Sequence, residues 1–133
     1  MARRHRPHFL DAVTRLPHVF CLRIAPVGPL LATHATLAGD SASRRQGLLG
    51  REGLAAGHAL VIAPTQGIHT FGMRFPIDVV FADRHGRVVR IADAVPPSRI
   101  RLAWRGFAAI ELPAGACRSA ALRRGDRLEV QPA

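Results

Sequence analysis

The residue of sharpest chemical interest is Asp78, a carboxylate inside an apolar segment. Ile77, Val79 and Phe81 alternate with it, so a strand would place Asp78 on the other face, beside Val80. A buried, ionised carboxylate is costly unless it is paired and hydrogen-bonded. Asp78 is therefore expected either to form a structural ion pair that joins a helix to the sheet or to anchor a ligand at a pocket mouth.

Two arginines are the expected partners of that carboxylate. Arg45 lies in a short helix predicted for residues 42–49, and Arg74 lies just before the Asp78 strand. A guanidinium can donate two parallel hydrogen bonds to a carboxylate, which makes either residue a suitable partner. Gly47 interrupts the same helix at a cost of about 1 kcal/mol relative to Ala, so a close approach is expected there.

His69 and Thr70 precede Asp78 on the same segment, next to the flexible Met73. A histidine near a carboxylate could serve as a general base. However, the chain has neither a Gly-x-Ser-x-Gly elbow nor a phosphate-binding loop, so no nucleophile or nucleotide-binding signature supports an enzyme. The histidines form no His-x-x-x-His or His-x-His pair, and neither a metal nor a cofactor is expected.

A second carboxylate, Glu111, lies in a predicted strand and shares a face with Phe107 and Ala109, so it is expected to be half-buried. No catalytic residue is assigned. The candidate ligand-binding residues share a polar or flexible side chain on these segments. They are Arg45, His69, Thr70, Met73, Arg74, Asp78 and Glu111.

The elements that must position these residues are short. Two runs rich in β-branched residues, 68–81 and 87–91, flank a predicted turn from Asp83 to Gly86. Further strands are predicted at 31–37, 59–63, 107–112 and 128–130, and a second short helix at 116–122. Strands do not alternate with long helices, so the prediction is a mainly β, α+β domain. Its largely antiparallel sheet should curl into a partial barrel with two short helices.

The amino-acid composition limits the classes of function that the protein can have. The formal charge is +10, and all 19 basic residues are arginines, while Lys, Asn and Tyr are absent. Those three residues share A/T-rich codons, so a G+C-rich genome explains the basicity, and nucleic-acid binding is not expected. Cys21 and Cys117 are too far apart for a zinc signature and are expected to be buried thiols, with a disulfide as the alternative.

The chain is expected to divide at residue 30. Residues 1–29 form a basic, proline-containing N-terminal extension that should be poorly ordered, and residues 30–131 form a single domain. No apolar run approaches the roughly 18 residues that cross a bilayer, and no secretory signal is evident. A cytoplasmic monomer is therefore expected.

Five motifs in order resemble the DUF192 family over about residues 30–131. They are Arg45-x-Gly47-Leu48, Met73 with Ile77-Asp78-x-x-Phe81, Gly86-x-Val88-Val89, Glu111-Leu112-x-x-Gly115, and Gly125-Asp126. The resemblance implies a small bacterial or archaeal, mainly β domain and supplies no reaction. Many members carry a Trp where this chain has Gly72, and the loop from Met73 to Asp78 is shorter here. The role of that Trp is not carried over.

Three functions stay open at this point. The favoured one is a non-catalytic module that binds a small ligand or a protein partner. The first alternative is a small enzyme that uses His69 and Asp78 as acid and base. The second is a weak binder of nucleic acid or of an anionic surface.

Overall fold

The computed structural model describes residues 8–133, which form nine strands and three short helices. The helices are α1 (Phe9–Thr14), α2 (Ser41–Gln46) and α3 (Ala116–Ser119). The strands are β1 (Phe20–Ile24), β2 (Leu30–Ala38), β3 (His58–Ile62), β4 (Gly67–His69), β5 (Ile77–Ala82), β6 (Val88–Val95), β7 (Ile100–Leu102), β8 (Ala108–Pro113) and β9 (Leu128–Pro132).

Seven strands form one sheet in the order β6-β5-β8-β3-β2-β1-β9, and β4 pairs with β7 as a separate ribbon. Every strand pair is antiparallel except β2 with β3. The sheet curls until its two edges meet. The contact is seen where the Leu128 amide, at the start of β9, donates to the Gly86 carbonyl, just before β6, at 2.8 Å. The expected fold class, a mainly β partial barrel, is confirmed, with three short helices in residues 8–133 instead of two.

Both faces of the sheet centre are covered, which explains its continuous apolar runs. In β8, Ile110 and Leu112 belong to a core cluster that also contains buried residues of α1 and α3. Ala109, one residue away, belongs to a second cluster on the opposite face, with Leu48 and Met73. Glu111 alternates onto this second face. A strand buried on both faces has no polar side, so Glu111 is an exception.

The predicted hairpin forms as β5 and β6. Gly86 adopts φ 84°, which a residue with a Cβ rarely takes. The Asp83 carboxyl accepts hydrogen bonds from the amides of His85 and Arg87 at 2.8 and 3.0 Å. The run from residue 68 differs from the expected long strand, because only β4 pairs there and residues 70–76 form turns that lead into β5.

The N-terminal segment also differs from expectation. Phe9 and Val13 of α1 are 4% and 3% exposed, and β1 lies between β2 and β9 in the main sheet. Apolar residues 9 and 13 share one face of α1, and 20, 22 and 24 share one face of β1; both faces are buried. The arginines and prolines around them made this pattern hard to recognise in the sequence. The prediction for residues 1–7 lies outside the described residues.

Candidate functional site

The most unusual side chain of the second face is Glu111, which is only 3% exposed. No hydrogen bond from residues 8–133 reaches its carboxyl. Every fully buried side-chain N or O atom in these residues has a partner, so an oxygen of Glu111 without one must keep some accessible surface. The carboxyl instead faces a pocket of about 500 Å³. The uncovered acid is therefore directed at a cavity that could hold a small molecule.

The pocket is bounded by α2 and the residues after it, by the β4 ribbon strand, and by β3 and β8. It is lined by Ser41, Arg44, Arg45, Gln46, Gly47, Leu48, Leu49, Ile62, Thr65, Gly67, Ile68, His69, Met73 and Glu111. Arginine side chains lie on its helix side, an imidazole lies on its ribbon side, and apolar side chains cover much of the rest. This mixture of apolar walls and a few convergent polar groups is typical of ligand pockets.

Burial controls the electrostatics of Glu111. It raises the pKa of the carboxyl from 4.5 to about 7, because the charged form loses hydration, and the Arg51 guanidinium opposes the rise only in part. Glu111 is thus poised to exchange a proton near neutral pH. It could donate a hydrogen bond as the acid or pair with a cation as the carboxylate.

Gly47 lies close to the Glu111 carboxyl, in the region where the sequence predicted a close approach. Its φ of 48° and ψ of −123° suit glycine only, and it ends α2 by donating its amide to the Ser43 carbonyl at 3.0 Å. A Cβ at this position would lie 3.4 Å from Glu111 Oε1. Gly47 therefore lies next to the carboxyl, and its positive φ is the feature that requires glycine.

Four of the predicted site residues meet in this pocket: Arg45, His69, Met73 and Glu111. Thr70 does not, because its hydroxyl is fully buried and donates to the Pro96 carbonyl at 2.7 Å. The same oxygen accepts the Arg99 amide at 2.9 Å, so Thr70 fastens the end of β4 to the chain entering β7.

Asp78 is fully buried and also lies elsewhere. One of its oxygens accepts the Ala94 amide at 2.8 Å, and the other accepts the amides of Gly115 and Cys117 at 3.1 and 3.0 Å. Ala94 has φ 45°, a strained value for a residue with a Cβ, at an irregular point of the β5–β6 pairing. The carboxylate therefore ties β5 to an irregular part of β6 and to the start of α3.

The expected ion pair of Asp78 with Arg45 or Arg74 is wrong. Arg45 bonds the Ser41 carbonyl within its own helix at 3.3 Å, and Arg74 lies 3.9 Å from Glu52 with both side chains exposed. Main-chain amides satisfy the carboxylate at short range, so no guanidinium needs to be desolvated beside it. Sequence alone does not reveal such partners because every residue except proline offers the same amide.

One cluster of acidic and thiol side chains has the spacing of a metal site. Single ligand atoms of Asp78, Asp93 and Cys117 lie within 4.8 Å of one another. Both Asp78 oxygens already accept amides, and burial together with the negative charge of Asp78 raises the pKa of the Cys117 thiol, which disfavours the thiolate that metals bind. The donor set does not suit a metal. Cys117 and Cys21 are free, buried thiols, so the alternative of a disulfide is wrong.

Sequence reasoning missed several pocket residues. Ser41 and Arg44 line it from α2, and Arg51 is the cation that opposes the rise in the Glu111 pKa. The available signal in the sequence was the Arg44–Arg45 pair next to Gly47, which places two guanidinium groups on one short helix.

These features define a small, curled β-sheet domain with a polar pocket on one face. A family model described as "Uncharacterized ACR", DUF192, matches residues 24–130. The chain belongs to the DUF192 family, as the motif order predicted.

Two solved structures have the same fold. A protein of unknown function from Novosphingobium aromaticivorans is 21% identical, with a TM-score of 0.73 over 82% of this chain and 83% of that one. A protein from Sinorhizobium meliloti, described as a candidate transcription regulator, is 24% identical, with a TM-score of 0.73 over 84% of this chain and 92% of that one. No curated protein matches the chain significantly in sequence. These likenesses establish the fold and no activity.

Proposed function

We propose that this protein is a non-catalytic module that binds a small polar ligand in the pocket over Glu111. The supporting observation is the Glu111 carboxyl itself, which is nearly sealed from solvent, has no hydrogen-bonding partner among residues 8–133, and faces the cavity. A protein tolerates such a group where function needs it, because an unpaired buried carboxylate lowers stability.

The charges of the pocket define the class of ligand. An ammonium or other donor group would pair with Glu111, and an anionic group would pair with Arg44 or Arg45 on the helix side. Met73 and Ile62 offer apolar surface for a short hydrocarbon part. A small zwitterion, such as an amino acid, has this combination of groups.

The enzyme alternative receives less support. His69 lines the pocket, whereas Asp78 is not among the lining residues and its oxygens are occupied by three amides. A base and an acid that do not meet at one cavity cannot act on one substrate. For the setting of the protein, we propose a cytoplasmic monomer without sequence-specific nucleic-acid binding. Free thiols at Cys21 and Cys117 suit a reducing compartment.

The test combines native mass spectrometry with calorimetry. The protein is purified without harsh exchange and its mass is measured under native conditions for a retained small molecule. The twenty common amino acids are then titrated into wild type, Glu111→Gln and Arg45→Gln.

We expect binding by wild type that weakens at least about tenfold in both pocket variants, since each loses a charge-assisted hydrogen bond. The matched controls are Glu52→Gln and Arg15→Gln, which change the same charges at exposed positions outside the pocket. If neither method detects a ligand, or if the controls weaken binding equally, the proposal fails.

A further inference from the structure

The β4–β7 ribbon exposes a cluster of large apolar side chains. Ile100 and Leu102 are each 56% exposed, Phe71 is 48% exposed and Trp104 is 89% exposed. They are four of the six large apolar side chains exposed among residues 8–133. We call these four residues the ribbon patch. Exposed apolar groups collected in one place mark an interaction surface.

The pairing register explains why these side chains point outward together. Ile100 pairs with His69, and Leu102 pairs with Gly67, so the two aliphatic side chains share one face of the ribbon. Ile68, on the other face, packs against the second core cluster. The ribbon thus has a buried face and an outward apolar face.

Two exposed aromatic residues lie just beyond the ends of the paired strands. The Phe71 ring stacks on His69 with a centroid distance of 5.5 Å. At the other end of the ribbon, the Gln66 side-chain amide donates to the Trp104 carbonyl at 2.9 Å, which holds the chain at Trp104 beside β4. The patch therefore continues past both ends of the paired strands.

The charge around the ribbon patch is mostly positive. Segments 66–77 and 96–107, which build the ribbon and its flanks, contain no Asp or Glu. Their basic residues are Arg74, Arg99, Arg101 and Arg105. Arg90, from β6, also reaches the ribbon and donates to the Leu102 carbonyl. Two acids lie nearby: Glu52 is 3.9 Å from Arg74, and Asp83 lines a groove with Trp104 and Arg105. The five arginines outnumber them, so the apolar surface with its net positive surround complements a surface that is apolar below and negative above.

We propose that the ribbon patch docks on the surface of a membrane that contains anionic phospholipids. Trp and Phe side chains favour the headgroup level of a bilayer, and aliphatic side chains gain by entering its outer hydrocarbon. The surrounding guanidinium groups attract the anionic headgroups, as basic segments do at a cytoplasmic leaflet. Neither the apolar nor the basic contribution needs a helix that crosses the bilayer. None of the helices in residues 8–133 is long and apolar enough to cross.

The same charges disfavour a second copy of the chain as the occupant. Two ribbon patches packed face to face would bring their arginines together without an acidic residue from either ribbon, and such like-charge contacts weaken association. A bilayer supplies the missing negative charge.

The chain carries its own reporter, because Trp104 is its single tryptophan and tyrosine is absent. Full-length protein is titrated with vesicles of phosphatidylglycerol and phosphatidylcholine in equal parts, and with vesicles of phosphatidylcholine alone. We expect the Trp104 emission to shift to shorter wavelength only with the anionic vesicles, and brominated acyl chains to quench it. Higher salt should weaken the binding.

Variants that retain Trp104 can distinguish docking of the ribbon patch from charge attraction alone. Ile100→Ser combined with Leu102→Ser should weaken vesicle binding about tenfold or more, because two half-exposed aliphatic side chains no longer leave water. Val27→Ser is the matched control, since Val27 is 87% exposed in the turn between β1 and β2, outside the ribbon patch. It should bind as wild type does.

Several results would overturn the proposal. Equal binding by wild type and the double variant, or binding without quenching, would mean that the ribbon patch does not enter the bilayer. A shift of emission that depends on protein concentration without vesicles would identify a second copy. Absence of any response to anionic vesicles, with capture of an acidic protein instead, would identify a protein surface.

Discussion

Replacing Glu111 by Gln should change how the stability of the protein depends on pH. Burial raises the pKa of this carboxyl to about 7 from 4.5, so the folded state holds a proton that the unfolded chain releases between these values. The free energy of unfolding therefore falls as pH rises from about 4.5 to about 7 and is constant above that range. The difference corresponds to about 3 kcal/mol, because each pKa unit is worth about 1.4 kcal/mol.

Glutamine resembles the protonated acid and cannot ionise. Glu111→Gln should match wild type near pH 4.5 and should be more stable by up to about 3 kcal/mol at pH 8. For a domain of this size, that gain raises the melting temperature by roughly 10 °C.

The assay is urea unfolding of both proteins at several values between pH 4.5 and 8.5, followed by far-UV circular dichroism, because the single tryptophan is already 89% exposed in the folded protein. The difference between the two curves isolates Glu111 from the histidines, which titrate in both proteins. Glu52→Gln is the control, because its side chain is 90% exposed and should alter stability by less than about 0.5 kcal/mol at any pH. A constant difference across the pH range, or a gain at low pH that vanishes at high pH, would refute the argument from burial.

Three further predictions concern parts of the fold away from the pocket. Asp78→Asn presents an NH₂ group to amides that need an acceptor, and it should lower the free energy of unfolding in urea by about 2–4 kcal/mol. The control Asp126→Asn changes an exposed turn bond of 2.8 Å and should lower it by less than about 1 kcal/mol. Equal losses would contradict the structural role of Asp78. Phe9→Ala should lower the unfolding free energy by about 3 kcal/mol because the ring is 4% exposed, and an unchanged melting temperature would show that α1 does not pack. Cys117 should react with a chromogenic disulfide reagent at least about a hundred times more slowly in the folded protein than in denaturant, since it is 2% exposed and both burial and the Asp78 charge raise its thiol pKa; comparable rates would mean that the site opens readily.

Patterns in the sequence were enough to predict the local structure and the class of fold. Apolar runs at β3, β5 and β8 required strands covered on both faces, and Gly86 after a polar turn required the β5–β6 hairpin. These outcomes depend on side-chain period and on the freedom of glycine at positive φ, which are properties of a few neighbouring residues. The family could be identified for the same reason, because its motifs are short and ordered.

The set of polar residues that meet depends on how distant segments pack. Asp78 and Glu111 looked alike in sequence, as single acids in apolar strands. The first faces three amides from segments far along the chain, and the second faces a pocket and no donor. Side-chain period places a residue on a face of the sheet, but the partners on that face come from β6, α2 and α3, whose positions follow from the curl of the whole sheet. Long-range packing therefore fixed one acid among backbone amides and left the other facing a pocket.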